Sequence, residues 1–515
     1  MTLRPSHSLL AFPLGLLSAL AFAPVGLWPL MPLAFAVLAL LVARSGSLPR
    51  ALWTGWLFAV GQFVLGLNWI ATAFTYQAAM PAWLGWLAVV LLSLYLAVYP
   101  ALATGLAWRF GQCSPTGLVL ALAGGWAVSE WLRATMFTGF AWNPVGVTLL
   151  ETFWRLSAAG IGTYGLSVLV VLLGGALFLL FSAARRNALV LATLVLAVGA
   201  SGWLRAPLPQ VAAAKKLRIV QPNIGQEDKW REGLEEEAFQ RLSKLSALPA
   251  GAPPTLILWP EVAVPVAFQL EGPPPARLTT PLPPARRAGA LLRPGGDLLV
   301  TGAFALVVDR NAKLVGSTNS VMPIAGDGSI LGRYDKAHLV PYGEYLPMRP
   351  LLSAIGLSQL APGEGDTLEG PGPRNLSIPG WGIMGVQVCY EIIFSGQVID
   401  PAHRPNFLFN PSNDAWFGAW GPPQHLAQAR LRAAEEGLPV IRSTPTGISA
   451  VIDAKGNLLA SLPWRTAGAI DADLPPSAAS TLFSRHGNVI PLSLAFLLVV
   501  LAVGMDARAR YRQHI

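Results

Sequence analysis

Apolar residues fall along this chain in two textures. In residues 1–210, and again near the C-terminal end, they form long and nearly unbroken runs. Between these regions they come in short bursts separated by charge, proline and glycine. A helix crossing a hydrocarbon core of about 30 Å needs about 20 apolar residues. Runs of suitable length occupy 8–24, 27–43, 51–74, 83–107, 117–136, 158–182, 188–204 and 489–505, the first two and the seventh being short but usable. Glycine and proline recur inside them, as membrane helices allow. The pattern predicts a polytopic α-helical membrane protein of about eight spans: a membrane domain over 1–210 with about seven helices, and a last helix over 487–508.

The middle segment, 216–475, carries the other texture. Residues 217–221 read as a first buried strand, followed by an acidic helical stretch over 227–248. A second strand at 255–259 runs into Pro260-Glu261, and the proline-rich 272–284 predicts a loop or short lid. Further strands are expected at 297–308, 381–388, 407–410, 439–443 and 448–453, with a helix over 425–437. Short apolar strands alternating with helices predict a layered α/β domain. Gly326-Asp327-Gly328 marks a hairpin turn, and no complete Gly-x-Gly-x-x-Gly or phosphate loop is present.

Charge sharpens this division. Only 12% of the 515 residues are charged. Of the 27 acidic side chains, Glu130 and Glu151 alone lie in 1–226, and the rest except Asp506 lie between Glu227 and Asp473. The middle segment is long enough to bury its own core. The net charge of +9 does not point to nucleic acid, because the basic residues sit in small clusters at the ends of apolar runs. With eight spans, Arg4, Arg44, Arg50, Arg109, Arg185, Arg186, Arg508, Arg510 and Arg512 fall on one side, which the positive-inside rule makes cytoplasmic. Arg133 and Arg155 fall on the other side and weaken that pattern without reversing it. The 216–475 segment is then expected outside, in the periplasm of a Gram-negative cell. Arg4, the first apolar run and Ala21-Phe22-Ala23 imitate a secretory signal peptide, but the many later spans make a removable signal unnecessary.

Three residues could carry chemistry. Cys389 ends a strand-like run and is the sole cysteine of the middle segment; Cys113 lies far away in an apolar region. A lone thiol is either a small buried hydrophobe or a nucleophile, and a single one outside the cytoplasm avoids misbridging. Glu261 directly follows a buried strand, and functional groups of open α/β folds gather at strand carboxyl ends, so Glu261 and Cys389 are placed to meet. Lys336 lies in a polar stretch. A carboxylate can take the thiol's proton and an ammonium can stabilise the anion. Glu344 is a further carboxylate that could orient the lysine or an attacking amine. Taken singly, Glu261 reads as a solvated loop residue, Lys336 as surface and Cys389 as core.

Together they resemble something specific. Glu261 in Trp259-Pro260-Glu261, Lys336 in Tyr334-Asp335-Lys336 and Cys389 in Val388-Cys389-Tyr390-Glu391, spaced by 75 and 53 residues, resemble the Glu-Lys-Cys triad of the nitrilase (carbon–nitrogen hydrolase) superfamily. The stretch from Lys336 to Pro347, Asn410 to Gly418, Arg432-Ala433-Ala434-Glu435 and Thr446-Gly447-Ile448-Ser449-Ala450 narrow the resemblance to the apolipoprotein N-acyltransferases. So do seven spans before the domain and one after it. Phe137 to Asn143, with Trp142, resembles that family's outer-loop Gly-Phe-Pro-Trp signature, with Ala141 where proline is usual.

The resemblance implies an αββα sandwich carried by the spans, in a bacterial inner membrane with the catalytic domain on the periplasmic side. It implies ping-pong acyl transfer. Cys389 would form a thioester from a phospholipid, and the N-terminal amine of diacylglyceryl-cysteine on an apolipoprotein would then attack it. Glu261 would act as general base and acid. Lys336 would hold the oxyanion beside the Tyr390 N–H, and Glu344 would support. Tyr390, Glu391, Trp230, Asn319 and Trp416 match positions that line or support the site. No cofactor or metal and no nucleic-acid partner is implied, and a monomer is expected. The alternatives are a membrane-tethered amidase or nitrilase using the same triad on a small substrate, a transporter or receptor with a non-catalytic domain, and a Cys–His protease using His338, His403 or His425.

Overall fold

The computed structural model describes residues 5–76, 81–204, 214–228, 231, 233–272, 280–354 and 367–513. The apolar runs become helices. They are α1 (Ala11–Ala19), α2 (Leu30–Ala43), α3 (Leu48–Gly66), α4 (Ile70–Ala73), α5 (Trp83–Leu96), α6 (Val98–Arg109), α7 (Pro115–Thr135), α8 (Ala158–Leu180) and α9 (Arg185–Leu204). Among the described residues, four helical stretches are long and apolar enough to span by themselves: Trp83–Arg109, Phe153–Leu180, Arg185–Leu204 and Val489–Arg512. A fifth arises if α3 and the Ile70–Tyr76 segment, bent by 49°, form one broken span. The helices α1 and α2 are shorter than a full crossing, and α7 carries Glu130 and Arg133, so the described residues leave the expected eight unconfirmed.

The polar side chains of α7 are satisfied from within. Glu130 accepts from Trp126 Nε1, the Val145 N–H and Ser167 Oγ, while Arg133 Nη1 donates to the Trp142 carbonyl at 2.8 Å. Arg155 donates to the Leu150 carbonyl and to Asn457 Oδ1. Both arginines that departed from the charge pattern are thus tied to protein groups rather than free to report topology.

The middle segment builds two sheets. The first contains β1 (Lys216–Gln221), β2 (Thr255–Leu258), β3 (Ala267–Glu271), β4 (Thr280–Pro281), β5 (Leu298–Val308), β6 (Leu314–Ile324), β7 (Tyr334–Asp335) and β14 (Gly468–Asp473). Its main path runs β14-β1-β2-β5-β3-β4, with β6 on β5 and β7 on β6. The second, in order β13-β12-β11-β10-β9-β8, contains β8 (Asn375–Ile378), β9 (Gly382–Val386), β10 (Phe407–Pro411), β11 (Val440–Ser443), β12 (Ala450–Ile452) and β13 (Leu458–Ser461). The central strands β1, β2 and β5 are parallel, as are β9, β10 and β11. The remaining helices are α10 (Leu234–Ser246), α11 (Pro283–Gly289), α12 (Arg349–Ala354), α13 (Gly421–Glu436), α14 (Leu482–His486) and α15 (Val489–Gln513).

The central strands of each sheet are buried on both faces, which explains their continuous apolar runs. Leu217, Ile219, Leu256, Leu258 and Val300 of the first sheet pack on Met384, Val386, Phe407, Phe409 and Ile441 of the second. Phe239 and Leu242 of α10 and Ala285 and Ala288 of α11 cover the outer face of the first. On the second sheet, α13 covers Leu408, Val440 and Ile452, and this core runs on into the helical half. The layers are therefore helix, sheet, sheet, helix.

Several elements differ from expectation. Within the proline-rich stretch, 273–279 lie outside the described residues, but β4 and α11 start directly after them. The helix α13 begins four residues early, because Pro422-Pro423 suit a first helical turn. Strands β3, β6, β8, β13 and β14 lie where no strand was read.

Candidate active site

Strand β2 delivers Glu261 in the turn after it. Gly302 on β5 makes this possible: a Cβ there would lie 2.6 Å from the Glu261 Cα. Val262, next in sequence, has φ 43°, a left-handed conformation unfavourable for a β-branched residue. Lys336 directly follows β7, its N–H held by the Asn319 carbonyl of β6 at 2.8 Å. Glu344 sits in the turn bridged by Pro341 and Tyr345, where Tyr342 is left-handed at φ 61°. Cys389 lies just past β9 at φ 50° and opens a short 3-10 turn, Cys389–Ile393. Left-handed non-glycine residues thus flank or form three of the four site segments, and such strain persists where surroundings over-determine it.

The side chains converge. Lys336 is buried, its Nζ 2.9 Å from Glu344 Oε1 and 3.5 Å from Glu261 Oε1. Asn319 Nδ2 donates to Glu261 Oε1 at 2.7 Å and to Glu344 Oε1 at 3.2 Å. Glu261 Oε2 is buried with no hydrogen-bond partner among the described residues. Burial alone would lower the Lys336 ammonium, but Glu344, Glu261 and the Cys389 thiolate outweigh it and hold the ammonium above its usual range. Burial pushes the Cys389 thiol up, and the charge of Glu261 adds to this; Lys336 pulls back, and the result is about 12. The resting thiol is therefore protonated at neutral pH and needs an acceptor. Glu261 and Lys336 both lie close enough to Cys389 for their charges to act on its thiol.

Glu391 is a structural clamp. Its carboxylate accepts from Tyr334 Oη, from the N–H groups of Ala337 and His338, and from the Val388 N–H. It so ties the segment bearing Lys336 to the segment bearing Cys389. Burial raises it to about 7 against the pull of those backbone donors. The buried Tyr390 turns away toward the helical half: its hydroxyl donates to the Gly139 carbonyl at 3.2 Å and its ring meets Phe140, His338 and Phe394. His338 Nε2 lies 2.9 Å from the Thr138 carbonyl.

Trp142 is fully buried. Its Nε1 donates to Gln424 Oε1 at 2.7 Å, and its ring packs on Trp69, Phe417 and His425. Trp416 approaches Tyr76 at 5.9 Å. Both therefore lie at the junction of sandwich and helices. Ala141 is buried in a loop that turns through left-handed Phe137, Gly139 and Asn143. Trp230 lies outside the described residues.

Sequence reasoning missed a second polar group, beneath Cys389. The Cys389 carbonyl accepts from His425 Nε2 at 3.1 Å and Asn410 Nδ2 at 3.4 Å. His425 Nδ1 lies 2.9 Å from Asp414 Oδ1, and Arg442 binds Asp414 and Asn410. Burial works to raise Asp414, but Arg442 and His425 hold its carboxyl well below the usual range. The Asn410–Gly418 motif was the available signal. A Cys–His pairing is not formed, since His425 faces the cysteine's backbone carbonyl, His338 faces Thr138 and the exposed His403 faces Asp400. Among the described residues no group of three His, Cys, Asp or Glu could hold a metal.

Residues 14–176 match the apolipoprotein N-acyltransferase N-terminal domain, and residues 216–482 match the carbon-nitrogen hydrolase family. The chain is 35% identical over 528 residues to an apolipoprotein N-acyltransferase of Rhodopseudomonas palustris, covering 98% of this chain and 95% of that one. It is 36% identical over 527 residues to that of Bradyrhizobium diazoefficiens, covering 98% and 96%. Among solved structures, Saccharomyces cerevisiae Nit3, of branch 10 of the nitrilase superfamily, aligns with 52% of this chain and 92% of its own at 18% identity and TM-score 0.37.

Proposed function

Because the chain belongs to the apolipoprotein N-acyltransferase family, we propose that it moves a fatty acyl chain from a membrane phospholipid to the N-terminal amine of diacylglyceryl-cysteine on an apolipoprotein. The observation that carries this reading is where the charged groups converge. Glu261, Lys336, Glu344 and Cys389 gather beside segments that rest on the helical half through Tyr390 on Gly139 and His338 on Thr138. Acyl chains can stay among apolar helices while the reacting carbonyl reaches the thiol.

Glu261 Oε2, free of other partners, takes the thiol proton, and the Cys389 sulfur attacks the donor ester. Lys336 and the Tyr390 N–H stabilise the oxyanion. Collapse breaks the ester C–O bond, Glu261 returns the proton to the leaving oxygen, and lysophospholipid departs from the thioester. The acceptor amine then attacks that thioester, gives its proton through Glu261 to the departing sulfur, and leaves as the amide. Asn319 and Glu344 fix the Glu261–Lys336 pair, and Glu391 fixes both loops. Trp142 and Trp416, and by family match Trp230, support the lipid-facing side.

The same reading divides the chain into a membrane domain (1–210), a catalytic domain (216–475) and a last span (487–508). It places a monomer in a bacterial inner membrane, with the catalytic domain on the periplasmic side. In phospholipid vesicles with a diacylglyceryl lipopeptide, the protein should N-acylate the peptide. Cys389→Ala should unfold at the same temperature as wild type and transfer nothing. Normal transfer by that variant would sink the assignment.

A further inference from the structure

We propose that His425 is a positioning residue for Cys389. Its Nε2–H, with Asn410 Nδ2, holds the Cys389 carbonyl and keeps the nucleophile in the conformation that presents its thiol to Glu261 and Lys336. The inference rests on the reading of Cys389 as nucleophile. The starting point is the backbone: φ is 50° at Cys389, a region that non-glycine residues occupy only when surroundings hold them there. Rotating that residue moves the sulfur and the carbonyl together, so whatever fixes the carbonyl fixes the aim of the thiol.

Two donors fix it, and one keystone fixes both. Asn410 stands on β10, its Nδ2 also bonded to the Gln387 carbonyl at 2.6 Å. His425 stands on α13, fully buried. Arg442, on β11 and equally buried, donates through Nη1 to Asn410 Oδ1 and through Nη2 to both oxygens of Asp414, at 2.7 Å and 2.6 Å. Asp414 in turn meets His425 Nδ1. Gly447 leaves room for this carboxylate: a Cβ there would lie 2.4 Å from Asp414 Oδ2.

The proton on His425 is assigned by its neighbour. A carbonyl oxygen only accepts, so its contact with the ring needs hydrogen on Nε2; Nδ1 then accepts from Arg442 Nη2 at 3.1 Å when the ring is neutral and donates to Asp414 when it is charged. His425 therefore cannot serve the thiol as a base. Its effect passes through the backbone of Cys389, and the ring itself also packs against Trp142 of the helical half.

The test compares two isosteric substitutions in the full-length protein. The glutamine of His425→Gln reaches the position of Nε2 with an N–H donor, whereas the asparagine of His425→Asn reaches only Nδ1. Two readouts are taken: the maximal rate and half-saturating donor concentration for acylation of Cys389 from labelled phospholipid, and alkylation of Cys389 by iodoacetamide. His425→Asn should lower the maximal acylation rate on the order of 100-fold with half-saturation unchanged, and His425→Gln should recover most of it. Equal activity in both variants, or equal loss in both, would overturn the proposal. Independently of any variant, ¹⁵N-histidine spectra of the wild type should show Nε2 of His425 protonated at neutral pH; a bare Nε2 overturns it too. If Cys389 is not the acyl carrier, wild type itself shows no adduct, while the alkylation rates and spectra still judge the positioning.

Discussion

The two sheets bring different kinds of order to one site. The first supplies Glu261, Asn319 and Lys336, together with the neighbouring Glu344, and fixes them side chain to side chain through buried ion pairs and one amide. The second supplies Cys389 and fixes it through its backbone carbonyl, by His425 and Asn410. Charged side chains that must exchange a proton are best held by one another, since each contact also tunes charge. The aim of a side chain can be set through its backbone, and the Cys389 thiol is met in addition by the side chain of Ser412. Glu391 is where the two strategies join, since it accepts from both segments.

The largest break in this comparison should come from Lys336→Ala. It removes the buried ammonium between the buried Glu261 and the part-buried Glu344, leaving Glu261 uncompensated, and breaking such a pair costs about 3–5 kcal/mol. Acyl transfer should be undetectable, and the unfolding temperature should drop.

Glu391→Gln comes next. An amide places N–H donors against backbone donors now satisfied by a carboxylate, an expected loss of about 1–3 kcal/mol in chemical unfolding. Acylation should fall further than stability does, because both loops lose register.

Gly302→Ala acts on the first sheet alone. The new Cβ, 2.6 Å from the Glu261 Cα and 2.7 Å from the Pro260 carbonyl, displaces the base. Turnover should fall roughly 10- to 100-fold, while Cys389 stays open to iodoacetamide, its alkylation profile moving in the same direction as in Glu261→Gln.

The subtlest test is the pH profile of that alkylation, followed at Cys389 by peptide mass spectrometry. A thiol pushed to about 12 is mostly protonated through pH 9. Its rate should climb about tenfold per pH unit without a plateau below that point. Glu261→Gln, which removes a raising charge, should move the profile to lower pH. A plateau near neutrality would mean a preformed thiolate and would contradict the described electrostatics.

What the chain revealed in advance follows physical lines. Glu261 and Cys389 were visible because each closes a buried apolar strand. Lys336 and Glu344 were named as candidates, but only the resemblance set them above a surface reading, since nothing in a polar stretch marks which lysine becomes buried. Strand β6 escaped notice because its middle, Ser317-Thr318-Asn319-Ser320, reads as loop. In the fold Thr318 and Ser320 bond each other at 2.7 Å, and Asn319 serves the carboxylates. The His425–Asp414–Arg442 group spans two helical turns and a strand, so only packing brings it together. The helical half was legible as helices, yet its short α1 and α2 show that apolar runs do not fix a span count.

The central claim is that Cys389 carries the acyl group. Purified protein should be mixed with phospholipid labelled in its acyl chain, and the label sought on the protein. The account predicts an adduct at Cys389 that hydroxylamine removes, that Cys389→Ser lacks, and that a lipopeptide amine discharges. No adduct across a range of donors and detergents, with lipopeptide acylation still proceeding, would contradict a thioester route and the role given to this cysteine.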